Sequence, residues 1–267
     1  MQQNIINLEN VSFAYNEDRP ILKNITMKIQ AGKVTAIMGG SGSGKTTVLR
    51  LISGQIQAQS GKTEVFGENL RNISAIKTHE IRKRLGLLFQ LGALFTDMSV
   101  AQNVAFPIQE HTNLTPNFID KIVAMKLEAV GLTGTQNLMP SQLSGGMARR
   151  VALARAIALD PELMLYDEPF TGLDPISLST IAMLIKKLNT SLKQTAVLVT
   201  HDIAATMEIA DYVYFMANGE IIAEGTPNEI KVTTNPAVKQ FIHGEITGNF
   251  DYKYPSKLSY QHYLGQA

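Results

Sequence analysis

The stretch 34-VTAIMGGSGSGKTTVLRLI-52 decides the architecture. Val34-Thr35-Ala36-Ile37-Met38 is a short apolar run after the Ala31-Gly32 turn, and it reads as a buried strand. Gly39, Gly40, Ser41, Gly42, Ser43 and Gly44 follow, and Thr46-Thr47-Val48-Leu49-Arg50-Leu51-Ile52 has helical spacing. A run of glycine and serine packs no core and makes a poor helix interior. What it allows is close approach: without side chains in the way, successive backbone N–H groups turn inward to form an anion nest. A helix start beside it adds its positive dipole end. The spacing matches G-x-x-x-x-G-K-[ST] at Gly39, Gly44, Lys45 and Thr46. In that pattern the lysine reaches the β- and γ-phosphates of a nucleotide and the hydroxyl binds Mg²⁺. Strand, loop and helix in this order separate a phosphate loop from a flexible surface loop. The motif does not separate kinases, GTPases, helicases and transport ATPases.

Working outward, alternating segments between residues 5 and 30, such as Leu22-Lys23-Asn24-Ile25-Thr26-Met27-Lys28-Ile29, read as half-buried strands of an antiparallel sheet. A hairpin-like region surrounds Gly61 and Gly67. From Ile73 to Pro140 strand signals are scarce, and 118-FIDKIVAMKLEAVG-131 has helical periodicity; helical character returns over 144–159. Leu163-Met164-Leu165-Tyr166 and Ala196-Val197-Leu198-Val199 read as further buried strands. Val213 to Met216, Asn218-Gly219 and Glu220 to Ala223 read as a hairpin with the turn that Asn-Gly favours. Apolar strands alternating with helices predict an α/β fold with a parallel sheet and crossover connections. The expected organisation is one domain over 5–243, with an antiparallel β subdomain, a helical subdomain inserted at about 91–160, and a tail over 244–267.

The totals narrow the function classes. A chain of 267 residues can bury a substantial core. A formal net charge of +1 gives no bulk attraction to nucleic acid or an anionic membrane. Arg82-Lys83-Arg84 and Arg149-Arg150 are read as solvated faces, too short for a basic tract. The absence of cysteine excludes disulfides, zinc–thiolate sites and cysteine nucleophiles. The start MQQNIINLENVSF lacks the charged and apolar regions of a signal peptide, and no apolar run reaches the roughly 20 residues of a membrane span. The chain is therefore expected to be soluble by itself.

A second stretch, 143-LSGGMARRVALARAIALDPELMLYDEP-169, is more specific. Ser144-Gly145-Gly146 opens a helix and offers a second anion site, which suggests two surfaces facing one nucleotide. Here the sequence resembles the ATP-binding-cassette family, which carries Leu-Ser-Gly-Gly-Gln and then a strand ending in Asp-Glu. The resemblance covers about residues 5–240 and implies a homodimer, in which the signature of one copy closes over the phosphate loop of the other. It implies that Tyr15 stacks on adenine, that Gln90 touches Mg²⁺ and water, and that Asp167 holds Mg²⁺ through water. It further implies that Glu168 is the catalytic carboxylate that orients the attacking water, that Asp174 belongs to the D-loop, and that His201 is the switch histidine near the γ-phosphate. Met147 departs from the family, because a thioether cannot replace the amide donor of glutamine.

The strings 88-LFQLGALFTDMSVAQNVAFPIQEHT-112, 125-MKLEAVGL-132 and 138-LMPSQLSGGMARR-150 look like the ATP-binding subunits of the Mla (maintenance of lipid asymmetry) phospholipid transporters. That resemblance implies an ATPase on the cytoplasmic face of a Gram-negative inner membrane. Its implied partners are a second copy of itself, an integral-membrane permease, a substrate-binding protein with a mammalian-cell-entry domain and a small STAS-domain protein, with no nucleic acid. Residues 91–95 and 104–107 would either line a groove for the permease or lie in the core. The alternatives are an importer of a small solute, with a different permease, and a non-transport cassette protein in DNA repair or translation. The latter normally needs a long coiled-coil insertion or two cassettes, and neither is present. Phe250, Tyr252, Tyr254, Tyr260 and Tyr263 make the tail rich in aromatic anchors, which suits docking on the other ATPase subunit or a regulator.

Overall fold

The computed structural model describes residues 3–16, 19–90 and 92–245. In chain order the elements are β1 (Asn4–Asn16), β2 (Arg19–Gln30), β3 (Val34–Gly39), α1 (Lys45–Ile52), β4 (Ser60–Val65), β5 (Glu68–Asn69), α2 (Ala75–Lys83) and β6 (Leu85–Leu88). Then come α3 (Val100–His111), α4 (Pro116–Ala129), α5 (Gly145–Ala156), β7 (Leu163–Asp167), α6 (Pro175–Leu192), β8 (Thr195–Thr200) and α7 (Ile203–Ile209). The fold closes with β9 (Tyr212–Ala217), β10 (Glu220–Gly225), α8 (Pro227–Lys231) and α9 (Pro236–His243).

Two sheets form. One is antiparallel, ordered β2-β1-β4-β5; the other runs β10-β9-β3-β8-β7-β6 and is parallel except for β10. The central strands β3 and β8 are buried throughout and mostly apolar, because both their faces are covered. Val34, Ala36 and Met38 of β3 face the helices, whereas Ile37 faces the antiparallel sheet and α1. Met164 and Tyr166 of β7 face the helices, and Leu163 and Leu165 the other way. Period-two side chains thus feed two separate cores. Each fully buried Leu, Ile or Val contributes about 1.5–3 kcal/mol. Tyr214 fastens the layers: its hydroxyl donates to the Lys28 carbonyl (2.9 Å) and accepts from the Lys28 N–H (3.0 Å). Burial pushes this phenol up to about 12.

The expected hairpin is β9–β10, with Asn218 at φ 51° and Gly219 at φ 81°, the left-handed pair its turn requires. The region read as helical from Ile73 onward also contains a strand. β6 pairs with β7 at the sheet edge. Four residues long, half-exposed and interrupted by Gly86, it gave no periodic signal. That glycine is needed for packing, since a Cβ there would lie 2.2 Å from Met164 Sδ and 2.6 Å from the Ala156 carbonyl. No helix among the described residues is long and apolar enough to cross a membrane. The tail beyond residue 245 lies outside the described residues.

Candidate active site

The carboxyl ends of β3, β7 and β8 converge, and the site is assembled there. β3 runs into the glycine loop at Gly39, whose φ of 145° only glycine adopts readily. Lys45 is buried and its Nζ donates to the Gly39 and Gly40 carbonyls, 2.9 Å each. Burial holds its ammonium below the ordinary lysine value, against the opposing pull of Glu168 and Asp167. Side chains cap α2, α3 and α5 through α9, but Gly44 at the start of α1 provides no side-chain cap. The first N–H groups of α1 therefore have no side-chain acceptor. The Ser43 hydroxyl is buried beside them and has no hydrogen-bond partner among the described residues. Ser41 and Gly42 sit exposed at the loop tip, and Thr47 is buried in α1. Uncapped N–H groups, an orphan hydroxyl and a buried ammonium together suit an anionic ligand.

Facing this loop are the two carboxylates that end β7. The Thr46 hydroxyl donates to Asp167 Oδ1 at 3.0 Å, and Lys45 Nζ lies 3.9 Å from Glu168 Oε1. On the other side of Glu168, His201 Nδ1 lies 2.8 Å from Oε2, and the Thr171 hydroxyl donates to the same oxygen at 3.4 Å. Glu168 has φ 47°, an uncommon conformation for a residue with a side chain, held by its N–H donating to the Val199 carbonyl at 2.8 Å. Burial pushes the Asp167 carboxyl above its ordinary range; Thr46 pulls the other way. Thr46 and Asp167 supply hard oxygen donors of the kind Mg²⁺ prefers, and no cluster of three His, Asp or Glu gathers among the described residues. Such an incomplete set fits an ion whose other ligands are phosphate oxygens and water.

Other predicted residues are placed elsewhere. Tyr15, the penultimate residue of β1, is 54% exposed; its ring is edge-on to Phe13 at 4.8 Å, and its hydroxyl accepts from Arg50 of α1 at 2.9 Å. Gln90 follows β6 with its side chain exposed. The Ser144 hydroxyl caps α5 by accepting from the Met147 N–H at 3.2 Å. Gly146 touches α6, because a Cβ there would lie 2.6 Å from Ser177 Oγ. Asp174 caps α6, accepting from the Ile176 and Ser177 N–H groups at 3.0 Å, and hydrogen bonding to Ser177 holds its carboxyl below the usual range. Among the described residues, Ser144, Gly145 and Asp174 form no hydrogen bond with Lys45, Asp167, Glu168 or His201. Met147 packs its thioether against the helical core, an environment suited to an apolar side chain.

One reading is overturned. Arg149 is no solvated residue: it is buried, and its guanidinium donates to the main-chain carbonyls of Phe89, Gln90 and Thr171. The signal was its helical phase, since Arg149 shares a face with buried Ala152 and Leu153. Arg50 and Thr171 also went unread, because their partners are distant in sequence or carried no motif.

The family model for the ABC transporter matches residues 22–171. This chain belongs to the ABC transporter family. The cassette is 52% identical, over 96% of its length and 97% of the relative's, to the intermembrane phospholipid transport system ATP-binding protein MlaF of Haemophilus influenzae. It is 47% identical to the protein of the same name from Escherichia coli K12, covering 95% of this chain and 94% of that one. Among solved structures, it resembles the dimeric post-hydrolysis state of the ATP-binding cassette MJ0796 bound to ADP and Pi, with TM-score 0.76, 30% identity and coverage of 83% and 98%. It also resembles cbiO1 of Clostridium perfringens, part of the ABC transporter complex cbiONQ, with TM-score 0.81, 30% identity and coverage of 92% and 96%.

Proposed function

We propose that this cassette is the ATP-hydrolysing subunit of a transporter that moves phospholipid between two membranes. The observation that carries the ATPase reading is the convergence of an uncapped glycine loop, Lys45, two β7 carboxylates and His201 at one end of the parallel sheet. The cargo reading rests on the names of relatives that are about half identical along nearly the whole chain.

In this reading the backbone of 39–47 and Lys45 hold the phosphates, and Tyr15 offers its exposed ring to adenine. Thr46, Asp167 and Gln90 hold Mg²⁺, which when bound neutralises charge on the β- and γ-phosphates. Glu168 orients a water and draws on its proton as the oxygen attacks the γ-phosphorus. The bond to the β,γ-bridging oxygen breaks, and ADP and phosphate leave. His201 braces Glu168 and senses the γ-phosphate. Catalysis is alignment and electrostatics. Ser144, Gly145 and Gly146, at the uncovered start of α5, serve the ATP of a second copy, with Asp174 at the junction. Active dimers therefore carry two composite sites.

Transport is delegated to a permease. Phe89, Ala93, Phe95, Phe106 and Pro107 line a groove of about 430 Å³, into which a permease helix fits, while Val104 and Ala105 belong to the core. The cassette then sits peripherally on the cytoplasmic face of the inner membrane. A mammalian-cell-entry domain protein and a STAS-domain protein complete the complex, and the aromatic tail docks on a neighbouring subunit.

The test is to purify the tagged complex from native membranes, identify its proteins and lipids by mass spectrometry, and assay Glu168→Gln in it. We expect a permease, a membrane-anchored lipid-binding protein and bound phospholipid, with hydrolysis nearly abolished and ATP binding kept. Near-normal turnover of the variant would overturn the role of Glu168. A permease without a lipid-binding partner would remove the cargo assignment alone.

A further inference from the structure

A buried cation ordinarily needs an anion. Arg149 is 7% exposed, yet no carboxylate pairs with it among the described residues, and burial lowers its pKa with no acid offsetting the shift. Three of its five N–H donors go to main-chain carbonyls instead. Nη1 donates to Phe89 at 3.0 Å and to Gln90, and Nη2 donates to Thr171 at 3.2 Å. A planar guanidinium with a fixed fork of donors can hold carbonyls from two segments at once; an ammonium on a flexible stem cannot hold them in the same geometry.

The two segments are the ones the site depends on. Phe89-Gln90 is the chain leaving β6 beside the groove that Phe95 and Phe106 line. Thr171 closes the turn that carries Glu168: its N–H donates to the Glu168 carbonyl at 3.4 Å, and its hydroxyl reaches Glu168 Oε2 at 3.4 Å. That turn starts from the left-handed φ of Glu168, a conformation that persists only where its surroundings over-determine it. Arg149 itself stands on α5, the helix that Ser144 caps. Its neighbours on α5 do something different. Arg150 donates to the Val130 and Gly131 carbonyls after α4, and Arg155 to the Gly92 carbonyl and Asn103. Of these three arginines, Arg149 alone reaches the Glu168 turn.

We propose that Arg149 is a positioning residue that locks the Gln90 segment and the Glu168 turn to the head of α5, so that these three parts of the site shift as one body. Rigid linkage makes the alignment of the Glu168 carboxylate depend on where the Gln90 segment sits. This inference rests on the ATPase reading above and adds a residue to it that touches no nucleotide.

The test compares Arg149→Gln, Arg149→Lys and Arg149→Ala in the purified full complex, beside the wild type and Glu168→Gln. Arg149→Gln removes the fork and the charge while keeping one amide nitrogen with two N–H donors. Misalignment of a reacting group costs about 100-fold in rate. We expect kcat to fall about that far, with the ATP KM unchanged and Tm lowered only modestly. Arg149→Lys should be intermediate, and millimolar guanidinium should restore turnover to Arg149→Ala. Adding Arg149→Gln to Glu168→Gln should cost little further, because both act on one carboxylate. Normal kcat in Arg149→Gln would overturn the proposal. So would a joint collapse of kcat, KM and Tm across all three variants without rescue, which marks a merely structural arginine. Wild-type hydrolysis together with a dead Glu168→Gln shows that the ATPase reading stands whichever way Arg149 falls; an inactive wild-type complex would mark the failure of that reading instead.

Discussion

Replacing Gly39 with alanine tests how the fold and the phosphate loop are joined. Gly39 is the last residue of β3 and pairs with Met216 of β9. An added Cβ would lie 2.1 Å from the Met216 carbonyl oxygen, where ordinary contact begins near 3.4 Å, so about 1.3 Å must be found by parting two central strands. The backbone at φ 145° adds a second cost, because side chains rarely adopt it. Strain of that kind costs about 1–3 kcal/mol and overpacking about 1–3 kcal/mol, so Gly39→Ala should lose about 4 kcal/mol. For a chain of this size that corresponds to a Tm lower by about 12 °C. Gly42→Ala is the control. Its φ is 77°, and nothing lies within 4 Å of the new methyl. It should cost only the left-handed penalty of about 1 kcal/mol. Urea unfolding followed by circular dichroism gives both values. ATP affinity should fall with Gly39→Ala as well, because the Gly39 carbonyl holds Lys45. Equal stability of the two variants would refute the steric account.

Asp167→Asn should stabilise the nucleotide-free protein at neutral pH while abolishing hydrolysis. Burial raises the folded Asp167 pKa above its ordinary 3.8, so the native state binds the proton more readily than the unfolded chain. Stability from this group is then greatest below the unfolded value and falls as pH rises through the folded one; the charged form carries a cost at neutral pH that asparagine removes. Scanning fluorimetry across pH should show a Tm advantage that vanishes toward acid, and its absence at neutral pH would count against a costly desolvated carboxylate. Deleting 247–267 should weaken assembly of the complex if the aromatic tail docks on a neighbour; unchanged yield and turnover would dismiss that role.

Much of this molecule is local, and local features were legible. The loop from Gly39 to Thr47 announces itself because glycine spacing, a preceding apolar strand and a following helix all lie within one short stretch. The Asn218-Gly219 turn and the buried strands at 163–167 and 195–200 are equally self-contained. Asp167, Glu168 and His201 lie at or just after strand ends and Lys45 at the helix start that follows one, where a parallel sheet gathers its ligands, so the sequence could nominate them as a group. What no window of sequence holds is who meets whom. Thr46 and Asp167 are 121 positions apart, and Arg149 and Phe89 are 60 apart. β6 became a strand because β7 offered it an edge and Gly86 let α5 close over it, not because its four residues prefer that state. Arg149 looked like surface because its charge says so; only packing shows that it is buried and donates to three main-chain carbonyls. Motif and period are properties of neighbours along the chain, whereas burial and pairing belong to neighbours in space, and those the tertiary structure alone decides.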